Sequence, residues 1–288
     1  MSSDVLVILS DEDPVATAVA SDWGTLPATE FHVDGAPIRT LTEGFQVLRR
    51  PGFHIHDDDL DARLPRTLRE RGLTLVFPSI HRSERNVPSL TVHPLGNPGP
   101  EAQLGGRPRT LVPTDPLRMA SALRILDEGA EAIGLTATYE STHHGPSLRL
   151  PAFFLEIGYA DLPGPPAQAV RVLREAIPHI ASEPGDRIAM GVGGGHYVPH
   201  FTDLTLSRRW AFGHLISRHS LESIDRGTAE RAYGLSTGAE GVVYARAQDA
   251  DHPALKGLAP RLRDQDAPSR DREVRPGPTG GGRSASGT

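Results

Sequence analysis

The 288-residue chain contains no cysteine. That excludes disulfides, a thiolate nucleophile and every sulfur-ligated zinc site. Any bound metal must be held by histidine, aspartate, glutamate or water, and 13 histidines are available. Lysine is nearly absent too. Lys256 stands alone, so 30 − 1 = 29 of the basic residues are arginine, a bias that fits a high-GC genome. The formal charge of −6 argues mildly against nucleic-acid binding, although local basic patches and not net charge do the binding. No apolar run approaches the ~20 residues of a membrane helix. Met1-Ser2-Ser3-Asp4 lacks the basic and apolar segments of a signal peptide, so a cytoplasmic protein is expected. A first-strand GxGxxG, a P-loop, an HExxH helix and a GxSxG elbow are all missing.

What is present reads as alternating strands and helices. Val5–Leu9, Leu73–Phe77, Leu90–His93, Ile133–Glu140, Ala152–Gly158, Arg187–Met190, Trp210–Ile216 and Gly241–Tyr244 are expected strands. Asp13-Pro14 and Asp115-Pro116 are N-cap-plus-proline helix starts. Asp34-Gly35-Ala36-Pro37 turns a hairpin between Glu30–Val33 and Ile38–Leu41. Pro165–Ile180 is an amphipathic helix that Pro178 shortens or kinks, and His252–Leu262 also reads as helical. His54 and His56 alternate at a strand end before Asp57, either as a His-x-His-Asp metal site or as a strand entering a capped helix. Pro94–Arg109 is a Gly/Pro-rich loop long enough to suspect a function. The pattern predicts one three-layer α/β domain over residues 1–263 with a mixed, mainly parallel sheet. Asp264–Thr288 is charged, then rich in Pro, Gly and Ser, and is expected to be a disordered tail.

Three features are expected to meet at one sheet edge. They are Glu140-Ser141-Thr142-His143-His144-Gly145-Pro146, Glu156 within an apolar strand, and Gly193-Gly194-Gly195-His196-Tyr197. A carboxylate inside a buried strand is costly unless paired, protonated or bound to a cation, so Glu156 calls for an arginine, a histidine or a metal. His143 and His144 sit in a loop, where one can ligate while the other serves as acid, base or anchor. With Glu140, Glu156 and His196 they form the imidazole and carboxylate set that Zn²⁺ uses in open catalytic sites. Glycines let the backbone approach a ligand and offer N–H groups for an oxyanion hole.

Ile80-His81-Arg82-Ser83, Val92-His93-Pro94-Leu95-Gly96-Asn97, Thr142-His143-His144-Gly145-Pro146, Phe154-Leu155-Glu156-Ile157-Gly158 and Gly193-Gly194-Gly195-His196-Tyr197-Val198-Pro199 occur in this order. Together they resemble the archaeal and plant D-aminoacyl-tRNA deacylases from about residue 4 to residue 262. The resemblance implies a phosphorylase/hydrolase-like α/β fold. It also implies Zn²⁺-dependent hydrolysis of the ester of D-aminoacyl-tRNA, and of glycyl-tRNA mischarged on tRNA for alanine. The implied partner is the aminoacylated tRNA 3′ end, and a monomer is expected. Catalytic roles are assigned to Glu140, His144 and His196. Substrate-binding roles go to Gly193, Gly194, Gly195, Tyr197, His81 and Arg82, and metal ligation to His143, Glu156 and His196. Arg85, Arg107, Arg109 and Arg149 are further candidates for RNA contact. His200 replaces an expected basic residue after Pro199, which weakens any phosphate contact there. A zinc-dependent peptidase or amidase on the same fold and a non-catalytic binder of aminoacylated RNA ends are the alternatives.

Overall fold

The computed structural model describes residues 4–82, 88–159 and 163–270. The strands are β1 (Val5–Ser10), β2 (Ala28–Val33), β3 (Ala36–Thr42), β4 (Phe45–Arg50), β5 (Thr74–His81), β6 (Ser89–Pro94), β7 (Gly96–Asn97), β8 (Thr110–Leu111), β9 (Thr136–Tyr139), β10 (Ala152–Gly158), β11 (Arg187–Val192), β12 (Trp210–Ile216), β13 (Val242–Tyr244) and β14 (Arg261–Leu262). The helices are α1 (Pro14–Ser21), α2 (Leu60–Arg63), α3 (Arg66–Arg69), α4 (Pro116–Ala132), α5 (Ala167–Ala176), α6 (Pro199–Ser207), α7 (Arg218–Leu221) and α8 (Arg226–Leu235).

Continuous apolar runs make β1, β5 and β10 central, because a strand covered on both faces has no solvent side to mark with polar residues. They lie in an eight-stranded sheet of order β2-β3-β4-β1-β5-β10-β6-β9. Its core pairings, β4–β1, β1–β5 and β5–β10, are parallel; β6 runs antiparallel to β10. A second sheet, β12-β11-β13-β14, is parallel throughout. The fold is therefore α/β with mixed, mainly parallel strands, as expected, but divided into two main sheets and a two-stranded β7-β8 ribbon.

On one face of the large sheet Val7, Leu9, Val76, Phe153 and Leu155 pack with Val15, Met119, Leu123, Leu126 and Leu173 of α1, α4 and α5. On the other face Leu6, Ile8, Leu75, Phe77 and Phe154 pack with Leu60, Leu64 and Leu68 around α2 and α3. Burying each Leu or Phe stabilises the fold by ~1.5–3 kcal/mol. Helix α4 packs on β6, β9 and also β12, which ties the two sheets together. Its start is set by Asp115, which accepts from the Arg118 N–H at 3.2 Å. Asp13 caps α1, accepting from Val15 at 2.8 Å and Ala16 at 2.9 Å. The hairpin turn is Asp34-Gly35, with both residues at positive φ. Among the described residues no helix is long and apolar enough to cross a membrane.

Several expectations need correction. Residues His54–His56 form a 3₁₀ turn, not a strand end, because Pro51-Gly52 has already ended β4. That turn buries His54 and leaves His56 exposed, so the two do not share a face. No helix spans 252–262: Pro253, Gly257 and Pro260 break it into turns that end in β14. β9 starts at Thr136 rather than Ile133, since α4 runs to Ala132 and Gly134 turns the chain at positive φ. An unexpected helix, α6, follows the glycine loop with Pro199 at its first position. The domain also continues past residue 263. Trp210 Nε1 donates to the Asp264 carbonyl at 2.8 Å, Arg209 N to Pro268 at 3.0 Å and Arg270 N to Ser207 at 2.9 Å, while Ala267 is wholly buried. The rest of the expected tail, 271–288, lies outside the described residues.

Ending the chain at Arg263 removes these bonds and should lower Tm by at least about 4 °C, from a loss of ~2 kcal/mol. A thermal melt unchanged by that truncation would refute the docking. Acid sensitivity is the second expectation. Burial pushes the His54 imidazole down to about 4 and His214 to about 3, against an ordinary 6.5. Above pH 6.5 both are neutral in either state and their contribution to stability is complete. As pH falls through 6.5 toward 4, the unfolded chain takes up protons that the fold refuses, and stability is lost. In urea titrations, His54→Phe should flatten the decline of stability between pH 6.5 and 4, whatever its packing cost. An unchanged slope would show that His54 does not titrate this way.

Candidate active site

The parallel pair β5–β10 and the antiparallel pair β10–β6 bring side chains from strands of opposite direction together near the carboxyl end of β5, so the expected parallel route to one sheet edge does not hold. His81 ends β5. Glu156 lies one strand over on β10, opposite Ser79 of β5 and Thr91 of β6. His93 of β6 pairs with Phe154 and so projects on the same face as Glu156. Glu140 follows β9; its N–H donates to Val92 at 3.0 Å, and its backbone bridges Tyr197. His143 bridges Leu95, and the His144 carbonyl accepts from Gly96 at 2.8 Å. His196 arrives from the loop after β11, its carbonyl accepting from Ser141 at 2.8 Å. All three expected features thus converge.

At the centre are two buried carboxylates. His81 Nδ1 donates to Glu156 at 3.2 Å and lies 3.1 Å from Glu140. His81 Nε2 is 2.9 Å from the Tyr197 hydroxyl. His196 Nε2 is 3.1 Å and His143 Nε2 3.5 Å from Glu140 Oε2. His93 Nε2 is 3.5 Å and His144 Nε2 3.9 Å from Glu156 Oε1. Burial alone raises both carboxyls, but His196 and His81 around Glu140, and His93, His144 and His81 around Glu156, outweigh it and hold both below the usual range. Burial lowers His81, and the two carboxylates outweigh that, raising it to about 11. His81 is therefore an imidazolium. Burial, with His93 and His144 beside it, holds His143 well below the ordinary value and keeps it neutral.

The hydrogen bonds fix tautomers. His93, His143 and His144 each donate Nδ1–H to a backbone carbonyl, those of Pro94, Ser141 and Gly145, at 3.2, 2.7 and 2.8 Å. A neutral ring with a proton on Nδ1 has its lone pair on Nε2. His143, held neutral, thus turns an Nε2 lone pair toward Glu140, and the Nε2 atoms of His93 and His144 face Glu156. His93 Nε2 and both Glu140 oxygens are buried without a well-directed hydrogen bond. Backbone-oriented imidazoles converging on oxygen donors are what a cation site would require. His93, His143 and His144 form one candidate ligand group, His93, Glu140 and Glu156 a second, and His81, Glu140 and His196 a third, each with ligand atoms within 4.8 Å of one another. The residue types suit Zn²⁺.

The expected ligands His143, Glu156 and His196 therefore share one cluster but belong to three different groups within it. His144, assigned to catalysis, lies with the ligand-type imidazoles. His93 was not among the expected site residues. Its signal was a histidine ending an apolar strand, which reads equally well as core. Tyr197 and His81 are in place, whereas Arg82 is exposed beyond the strand end. His200 faces Asp264 at 3.4 Å and not the cluster. His56 takes no part. Of the glycines, Gly193 spends its N–H on the Ile216 carbonyl at 2.8 Å, which leaves Gly194 and Gly195 as candidate oxyanion donors. Gly193 and Gly194 need glycine for positive φ; a Cβ on Gly194 would also press Val198 at 3.0 Å.

Carboxylates, an imidazolium and ligand-type imidazoles gathered where β5, β10, β6 and the end of β9 meet are the equipment of a hydrolase built on an α/β fold. The family model for D-aminoacyl-tRNA deacylase matches residues 69–260, which contain the whole cluster. A D-aminoacyl-tRNA deacylase of Methanosphaerula palustris is 38% identical over 78% of this chain and 49% of its own length. One of Methanosarcina mazei is 34% identical over 78% of this chain and 76% of its own. The chain thus spans about half the length of the first and three quarters of the second. The crystal structure of a conserved protein of unknown function superposes with a TM-score of 0.78 at 25% identity, covering 91% of this chain and 96% of that one. The chain belongs to the D-aminoacyl-tRNA deacylase family.

Removing one buried partner leaves the others uncompensated. Glu140→Ala should cost ~3–5 kcal/mol by denaturant unfolding, and Tyr197→Phe ~1 kcal/mol. A cost below ~1 kcal/mol for Glu140→Ala would show that the imidazoles do not depend on it.

Proposed function

We propose that this chain hydrolyses the ester joining a D-amino acid to the 3′ end of tRNA, releasing the free amino acid and tRNA. The observation that carries the reading is the Glu140–His196 pair. Glu140 is wholly buried, and His196, whose side chain is 42% exposed, lies against it at 3.1 Å. A buried carboxylate orienting an accessible imidazole is the arrangement of a general base. His196 takes a proton from the attacking water and returns it to the departing ribose oxygen. Glu140 stabilises the imidazolium between those steps. The N–H groups of Gly194 and Gly195 receive the charge that develops on the carbonyl oxygen. The His81 imidazolium, donating to Tyr197, orients that hydroxyl at the mouth of the site.

His93, His143 and His144, with Glu156 as the adjoining carboxylate, would hold a Zn²⁺ ion. Bound there, the ion supplies Lewis acidity toward the ester. His143 and Glu156 thus keep their expected role, His144 joins them, and His196 acts as base rather than ligand.

Glycine backbone near the substrate favours D over L residues without a side-chain pocket. An absent Cβ lets the loop approach the substrate Cα, so an L side chain meets backbone while a D side chain leaves into solvent. Glycyl-tRNA fits the same logic.

Purified protein should release tyrosine from D-tyrosyl-tRNA at least ~10²-fold faster than from L-tyrosyl-tRNA and leave a matched peptide intact, a ratio at the upper end of what one methylene-sized difference supplies. His93→Ala should lose bound zinc by elemental analysis. His196→Ala should keep the zinc and lose at least ~10²-fold in turnover. Equal rates on the D and L esters would sink the reading, and full activity in chelator with a zinc-free protein would remove the metal from it.

A further inference from the structure

The arginines near the site differ in what occupies them. Arg107 is paired with Asp59, and Arg109 lies 2.9 Å from Asp225. Arg218 is exposed at the start of α7 and makes no ion pair among the described residues. It is fastened to the glycine loop twice. Its backbone N–H donates to the Gly194 carbonyl at 3.1 Å, and its Nε donates to the same oxygen at 3.4 Å. Gly194 is two residues from His196, so the guanidinium is held on the same loop as the proposed base. The Nε contact restrains the guanidinium, and neither terminal nitrogen has a protein partner among the described residues.

We propose that Arg218 is the phosphate anchor of the site. It takes the phosphodiester immediately 5′ of the terminal nucleoside that carries the ester. The proposal rests on the deacylase reading above. In that substrate the reacting ester and this phosphate are one ribose apart, so a cation held beside the general base meets the phosphate when the ester reaches His196. A guanidinium fork matches phosphate oxygens in pairs, which sets register as well as affinity. The formal charge of −6 supplies no net attraction for RNA, which puts more weight on local contacts. Placement must then come from short contacts, and a pre-positioned arginine supplies one.

The loop does not depend on this side chain, because the backbone N–H bond to Gly194 survives any substitution except proline. Arg218→Ala should therefore raise KM for D-tyrosyl-tRNA about tenfold at low salt with little change in kcat. The slope of log(kcat/KM) against log[salt] should fall by about 0.7, the value for one single-strand phosphate contact. On D-tyrosyl-adenosine, which lacks the phosphate, the loss should be under twofold. Arg218→Lys should restore the salt slope but only part of KM, since ammonium is a point charge. Equal losses on both esters would show that Arg218 acts on the loop and overturn the proposal. No loss on tRNA, or a salt slope that lysine does not restore, would overturn it too. A wild-type protein inert toward both esters would remove the deacylase reading, and the anchor with it.

Discussion

Two carboxylates withdrawn from water govern this structure. Glu140 and Glu156 are both buried and, with His93, bring ligand atoms within 4.8 Å of one another. Like charges that close in a low-dielectric interior repel by several kcal/mol, and each has also lost its hydration. Something positive must lie between or around them. The His81 imidazolium touches both, which explains why β5 must end where it does. One imidazolium does not balance two carboxylates. The Nε2 atoms of His93, His143 and His144 face the same space. A divalent cation bound there would balance the remaining charge, which is a second ground for the metal proposal.

The same cluster joins the two sheets. Thr142 N–H donates to Leu215 of β12 at 2.7 Å, and Leu215 N–H returns to the Thr142 hydroxyl at 3.0 Å. Two residues earlier, Glu140 N–H donates to β6 of the large sheet. Ser141 N–H meets the glycine loop at His196. A single extended segment is thus bonded to both sheets and to the loop that carries the proposed base. Any displacement of one sheet against the other would move Glu140 relative to His196. Helix α4, packed on β6, β9 and β12, opposes that displacement. The general-base geometry is a consequence of how the sheets are joined.

Most of the α/β fold was legible because buried strands and proline-started helices leave strong local signals: Val5–Leu9, Leu73–Phe77, Asp13-Pro14 and Asp115-Pro116 all fall where they read. The failures share a cause. His252–Leu262 and 264–270 take their conformation from tertiary contacts, such as Trp210 Nε1 with the Asp264 carbonyl, and not from local periodicity. Glu156 was legible as a charge in an apolar strand. His93 was not, because imidazole ends an apolar strand without breaking its pattern, and its role appears only when β6 pairs with β10. Adjacent histidines said nothing of tautomer. That information lies in the Pro94, Ser141 and Gly145 carbonyls, which become partners only in the folded loop.

Glycine was legible as loop but misleading as flexibility. Behind His144 the glycines are there for density. A Cβ on Gly145 would sit 2.2 Å from Gly106 N, and one on Gly105 would sit 1.9 Å from the Ile55 carbonyl oxygen. Three segments, the His54 turn, Gly105-Gly106 and His144-Gly145, are stacked backbone against backbone, which only glycine permits. The Pro94–Arg109 loop therefore acts as a wall that holds the ligand-type imidazoles in place. Opposite it, Gly195 and His196 stand exposed, and a Cβ on Gly195 would meet nothing nearer than 3.7 Å. The site is asymmetric for this reason. Imidazoles that would converge on a small cation are clamped from behind, while the imidazole that would reach a bulky ester is on the open side, steadied at its base by Glu140 and at its loop by the Arg218 backbone N–H.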